Sequence, residues 1–249
     1  MKKTYGLSLN QKSIMSILEY KRFELIRRKE LIDLIKKYKI SKNPEFLIKS
    51  LLKKNRIISI KRGIYLIVPL SAINEEIGID DYKTNEYILD GSPYYIGLYN
   101  AFNFHHFTEQ IPNILFVFNT KYSGMKRIMN MRFRYYKIKK ERLFGILKKY
   151  KYPYSDKEKT IIDVLNYPEY LGGLSKIFLR LKNSKYNKER LVSYAIKYKS
   201  VKVMKLVGYL TKSKRIYDLL KKRGKLSYYT TVKMTKLKII DKKWKIRLI

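Results

Sequence analysis

Residues 41–67 read SKNPEFLIKSLLKKNRIISIKRGIYLI, and three signals lie within that stretch. Ser41 and Asn43 are residues that cap helices, and Pro44 suits a first helical position. Leu47, Leu51 and Leu52 then fall on one helical face, leaving Glu45, Lys49, Ser50 and Lys53 on the other. Asn55-Arg56 closes that helix. Two β-branched runs follow, Ile57–Ile60 and Ile64–Ile67, separated by Lys61-Arg62-Gly63, where glycine supplies the positive φ of a tight hairpin.

Working outward, Ile14, Ile17 and Leu18 recur at helical spacing. Leu31, Ile32, Leu34 and Ile35 do so again after Arg27-Arg28-Lys29-Glu30. Three short helices and a hairpin with a basic tip are the element order of a winged helix-turn-helix. The spacing therefore predicts an α+β protein, with a winged helix-turn-helix over 1–70 followed by a larger mixed α/β domain.

The chain has 249 residues, 57 Lys and Arg against 20 Asp and Glu, and a net charge of +37. A field of that size raises affinity and encounter rate for phosphate-bearing partners, which makes nucleic acid the leading partner class. Genome composition or a hot habitat can enrich Lys too, but an ion-pair surface would add Glu in proportion, and the acidic side is missing here.

Charge also divides the chain. Residues 1–69 carry 18 basic and 5 acidic side chains, residues 70–92 carry 1 and 6, and residues 93–249 carry 38 and 9. The acidic segment, ending in Gly91-Ser92-Pro93, has no clear period and reads as a linker over 71–92.

With no cysteine, disulfides and thiolate metal sites are excluded, which suits an intracellular protein. The start lacks the apolar core of a secretory signal, and no apolar run approaches the roughly 18 residues of a membrane helix. A cytoplasmic location and no membrane partner are expected.

In the third part, Tyr94–Phe104 reads as a helix, Ile114–Phe118 as a buried strand, and Arg132–Ile138 as a second strand alternating basic and apolar residues. Ser155-Asp156-Lys157-Glu158 has the pattern of a capping box before a helix over Lys159–Leu165. Helices are expected over Lys188–Lys199, Val201–Tyr209 and Ser213–Lys222, with a closing strand over 243–249.

The residues quoted resemble the AbiEi family of antitoxins, regulators in type IV toxin-antitoxin systems of phage defence. The resemblance runs over nearly the whole chain. It is carried by Leu52–Ile57, by the Lys61–Tyr65 wing, by Ser155–Asp163, by Leu206-Val207-Gly208-Tyr209-Leu210 and by the end around Trp244. The density of Lys and Asn55, where relatives often carry Gly, depart from the pattern. The resemblance implies a regulator that represses its own operon by binding inverted repeats. It also implies that the C-terminal domain counteracts a nucleotidyltransferase-like toxin without forming a stable complex.

If the third helix enters a major groove, its N-terminal end offers Lys42, Asn43, Glu45, Phe46 and Lys49 to base edges, with Lys53 further along. Lys61 and Arg62 suit a phosphate beside the wing, although charges at a hairpin tip also serve to blunt an edge. Arg27 and Arg28 stand where helix-start N–H groups meet phosphates, at odds with the helix dipole.

In the last part, Arg132–Lys137 and Tyr150–Tyr154 could stack on single strands, or could be half-buried packing with solvated charges. His105-His106, being adjacent, make a poor metal pair, and Asp156, Glu158 and Lys159 lack two-carboxylate spacing. No catalytic residue, cofactor or metal is expected. The alternative to a repressor and antitoxin is a general RNA- or DNA-binding protein without antitoxin activity. Inverted repeats favour two copies on DNA, but no seam for a dimer is legible.

Overall fold

The computed structural model describes residues 6–70, 80–147, 151–232 and 239–248. The chain forms two compact units, Met1–Gly91 and Ser92–Ile249, and both mix helices with sheet.

The first unit runs α1 (Leu9–Tyr20), β1 (Leu25–Arg27), α2 (Arg28–Lys37), α3 (Pro44–Lys53), β2 (Ile57–Lys61), β3 (Ile64–Ile67) and α4 (Asp81–Leu89). Ser8 opens α1 with a reciprocal capping box to Gln11, and Asn43 opens α3 by accepting from the Phe46 N–H. Gly63 has φ +76° at the hairpin tip, and Asn55 has φ +54° where α3 gives way to β2. Asn is among the residues that tolerate this region.

Strand β1, which no sequence pattern marks, pairs antiparallel with β3 and makes a three-stranded sheet in the order β1-β3-β2. The core joins Ile14, Met15 and Leu18 of α1 to Leu31 and Ile35 of α2, Leu47, Ile48 and Leu51 of α3, and Ile57, Tyr65 and Ile67 of the sheet. Ile48 takes the buried place expected for Leu52, which is half-buried. Ser50, expected outward, accepts from Gln11 Nε2 at 2.9 Å.

The acidic segment read as a linker holds α4, while residues 71–79 lie outside the described ones. Asp80 caps α4 by accepting from Tyr82 and Lys83. The helix belongs to the first unit: Lys83 pairs with Glu24 at 3.0 Å, and Ile88 and Leu89 are buried.

The second unit begins with β4 (Tyr94–Ile96), α5 (Leu98–Phe104), β5 (Leu115–Asn119), β6 (Gly124–Ile128) and β7 (Met131–Lys137). After these come β8 (Ile146–Leu147), β9 (Tyr154–Ser155), α6 (Lys157–Asn166), α7 (Leu174–Lys182), α8 (Lys188–Tyr198), α9 (Val201–Thr211) and α10 (Lys214–Lys222). It closes with β10 (Thr230–Val232), β11 (Ile239–Asp241) and β12 (Ile246–Leu248). The main sheet has the order β6-β7-β5-β4-β9-β8, with β5 parallel to β7 and antiparallel to β4.

Residues 94–104 were expected as one helix and instead form a strand and a helix. At Gly97 between them a Cβ would meet the Phe118 ring at 2.7 Å, so the chain turns against an aromatic face. Strand β6 and helix α7 carry no pattern that singled them out.

Phe116 and Phe118 of β5 share the main core with apolar residues of α6 to α9, and that core also takes in Trp244 and Ile246 of the C-terminal segment. Gly208 of α9 is what admits Trp244: a Cβ there would lie 2.1 Å from the indole. No helix among the described residues is long and apolar enough to cross a membrane.

Candidate nucleic-acid interface

Phe46, Lys49 and Lys53 are spaced three and four residues apart and fall along one side of α3, and Lys42 stands two residues before the helix begins. All four are exposed, and Phe46 retains 70% of its free surface, an unusual degree for a large apolar ring. The first turn is fixed by Asn43, whose Oδ1 accepts from the Phe46 N–H at 3.0 Å. That capping bond occupies the amide oxygen and leaves the Asn43 Nδ2 as a donor.

Glu45 is the carboxylate at this end of α3, and it is paired: its Oε2 meets the Arg28 guanidinium at 2.5 Å. Arg28 in turn donates its backbone N–H to the Gly63 carbonyl at 2.8 Å, so the start of α2 touches both α3 and the hairpin tip. Arg27 is the residue before α2, and its N–H donates to Glu30 Oε2 at 2.9 Å. Its guanidinium donates to Asp90 Oδ1 at 2.8 Å and lies 5.4 Å from the centre of the Tyr87 ring. The hydrogen bond to Asp90 raises the Arg27 pKa above its ordinary value, so the group stays charged.

Lys61 turns its ammonium to the Ile88 carbonyl at 3.0 Å, the C-terminal end of α4. Arg62 is exposed at the hairpin tip.

The ten residues singled out in the sequence therefore divide. Phe46, Lys49 and Lys53 share the α3 surface, Lys42 and Asn43 stand just before its first turn, and Arg62 stands at the hairpin tip. Arg27, Arg28, Glu45 and Lys61 each have a partner inside the first unit. Those contacts orient the side chains and leave half of each Arg28 and Glu45 side chain open to solvent.

The second unit holds a different kind of site. Lys159 and Asp163 lie one turn apart on α6, wholly buried, with Nζ to Oδ1 at 2.5 Å. Tyr95 donates to Asp163 Oδ2 at 3.0 Å, and its hydroxyl also receives the Lys159 ammonium at 2.5 Å. The ammonium lies 4.6 Å from the Tyr95 ring centre and 5.0 Å from that of Tyr198.

Burial lowers the Lys159 pKa and raises that of Asp163. With both groups sealed from solvent, the triad is a structural brace between α6 and β4 and offers no surface to a substrate. The cap of α6 is Asp156 rather than Ser155, one residue later than expected. Glu158, expected to complete a capping box, accepts from the Asn187 N–H at 2.7 Å instead.

No family model and no curated protein matches this sequence. Among solved structures, the chain is similar to the Rv2827c protein from Mycobacterium tuberculosis, with a TM-score of 0.68 over 97% of this chain and 92% of that one. At 12% identity the likeness speaks to the fold alone.

Proposed function

We propose that this protein is a DNA-binding transcriptional repressor and antitoxin, whose first unit is a winged helix-turn-helix and whose second unit counteracts a nucleotidyltransferase-like toxin. The observation that carries the DNA reading is the exposed stripe Phe46-Lys49-Lys53 on α3, with exposed Lys42 just before its first turn, on a chain of net charge +37. The succession helix, strand, helix, helix, hairpin, with β3 at the centre of its sheet, supports assigning α3 as the reading helix and β2-β3 as the wing.

In this reading Lys49 donates to guanine, the Asn43 Nδ2 donates to a base edge and Phe46 packs against a thymine methyl. Arg62 meets a phosphate and fixes register without reading sequence. Arg28, Arg27 and Lys61 act from paired positions: Arg28 ties α2 to α3 and the wing, Arg27 and Lys61 tie the start of α2 and the wing to α4, and all three add to the field.

The antitoxin half rests on the AbiEi resemblance, borne by the Ser155–Asp163 segment and by the Leu206–Leu210 segment with Trp244. Their packing, with Gly208 against the indole and Lys159 against Asp163, supports reading these residues as determinants of the second unit's fold.

Footprinting the full chain across the region upstream of its own gene tests the first half, with protection of two inverted half-sites as the expected result. Uniform protection, or none, counts against it. Co-expression with the neighbouring gene tests the second half: growth rescued by residues 92–249 alone upholds it, and unrelieved toxicity opposes it.

A further inference from the structure

The second unit carries two adjoining clefts that the DNA reading does not use. One, about 550 Å³, is lined by Tyr99, Gln110, Tyr170, Lys176 and Arg180 among others. The other, about 560 Å³, shares Tyr99, Gln110 and Tyr170 and runs on past Phe116. Both volumes lie in the roughly 300–1,000 Å³ range of small-ligand clefts, and the shared residues make them one groove.

The groove's chemistry is of two kinds. Its walls are aromatic: Tyr170 meets Phe116 edge to face at 4.9 Å between ring centres, and the Tyr99 hydroxyl is held by Gln110 Oε1 at 2.5 Å. Because the Gln110 oxygen is engaged, its Nε2 is the group left to donate into the groove. At one end stand two cations of α7. Lys176 is exposed, and Arg180 is braced by donating to the Phe107 carbonyl at 3.2 Å.

The other end is lined by Ile111, Pro112, Asn113 and Ile114; Arg134, the cross-strand neighbour of Phe116, lines neither cleft, and its guanidinium lies 5.3 Å from the centre of the Tyr136 ring. Among the described residues no carboxylate lines either cleft. An apolar peptide would gain nothing from the two cations of α7, and an acidic peptide would gain nothing from flat aromatic walls. A nucleotide uses both, through the face of its base and its phosphate.

We propose that this groove binds a nucleotide unit, with the base against Tyr170 and Tyr99 and the phosphate at Lys176 and Arg180. The unit comes either free or within a single-stranded nucleic acid, and the site is separate from the α3 surface.

The full chain is titrated with labelled single-stranded RNA, with the four ribonucleoside triphosphates as competitors, and with duplex DNA as a parallel measurement. Tyr170→Leu keeps apolar volume against Phe116 and removes the stacking ring. It is expected to weaken the single strand about tenfold, the scale of one stacked base, and to leave duplex binding unchanged.

Lys176→Glu is compared with Lys222→Glu, an equal charge change on α10, which does not line the groove. The groove variant is expected to lose severalfold more. Competition by free triphosphates that Lys176→Glu abolishes identifies a free nucleotide, and binding of the strand without competition identifies a strand segment. Either upholds the proposal.

Equal losses for Lys176→Glu and Lys222→Glu overturn it, because net charge then explains all the binding. The two lysine variants decide the matter even if Tyr170→Leu does not fold. Duplex binding through α3 is read in the same proteins, so failure here is distinguishable from failure of the repressor reading.

Discussion

Glu45 is a carboxylate in the first turn of α3, the proposed reading helix, and Arg28 holds it there. Replacing it as Glu45→Gln removes one negative charge and releases Arg28, so duplex affinity at low salt is expected to rise severalfold. A weakening would show that the carboxylate itself accepts from a base. Stability changes little either way, since an exposed pair of this kind contributes only about 0–1 kcal/mol.

His105 makes a second residue-scale prediction. Its Nε2 lies 2.7 Å from the Ser155 carbonyl, so the neutral ring donates there, and burial lowers its pKa below the usual 6.5. A depressed value means that its contribution to stability is present above pH 6.5 and is lost as pH falls through the folded-state value. Thermal melts at neutral and mildly acidic pH should show a smaller drop for His105→Gln than for wild type. Equal drops would assign the acid sensitivity to carboxylates.

Residue-scale chemistry is also where the sequence was most legible. A cap at Ser41 or Asn43 and Gly63 at the hairpin tip follow from local rules, because cap and turn act within three or four residues; the structure settles the cap on Asn43. The partners of Arg27, Arg28 and Lys61 lie 63, 17 and 27 residues away, and no local pattern encodes those distances.

At the scale of elements, α9 and the C-terminal segment depend on one another. Gly208 leaves room for the Trp244 ring, and the buried Lys205 of α9 donates to the Tyr228 carbonyl at 2.6 Å. Gly208→Ala places a methyl group inside the indole and is expected to cost about 1–3 kcal/mol or more. Trp244→Ala is expected to cost about 3–5 kcal/mol. If chemical denaturation shows Gly208→Ala to be neutral, α9 and Trp244 are not packed as described.

On α6, Asp163→Ala strands a buried ammonium and should cost about 3–5 kcal/mol, whereas replacing Lys159 and Asp163 together with apolar residues should cost much less. Equal costs would mean that the pair is not an isolated buried interaction. Elements with strong periodicity, such as α3, α8 and α10, were legible. The short β1 and β6 were not: β1 is three residues long, and β6, Gly-Met-Lys-Arg-Ile, lacks the run of β-branched or aromatic residues that marks β2, β3 and β5. The acidic stretch misled for another reason: α4 is capped by Asp80 and rich in charge, so its buried Ile88 and Leu89 stand too few to mark a face.

For the whole molecule, α4 changes where the first unit ends. A fragment of residues 1–91 retains the Asp90, Ile88 and Lys83 contacts and should melt above a fragment of residues 1–70. Coincident melts would mean that α4 adds nothing. The net charge of +37 makes all nucleic-acid binding salt-dependent, by about 0.9 log units per log unit of salt for each phosphate neutralised. In the proposed reading charge supplies affinity, while choice among sequences comes from the small α3 surface.

That surface is open to a direct test. Competition between the promoter duplex of its own gene and a scrambled duplex, at moderate ionic strength, compares wild type with the Phe46→Ala, Lys49→Ala double variant. Wild type should prefer the promoter, and the variant should lose that preference while keeping most of its affinity for the scrambled duplex. If wild type holds the two duplexes equally, or the variant keeps the preference, then α3 is not the reading helix.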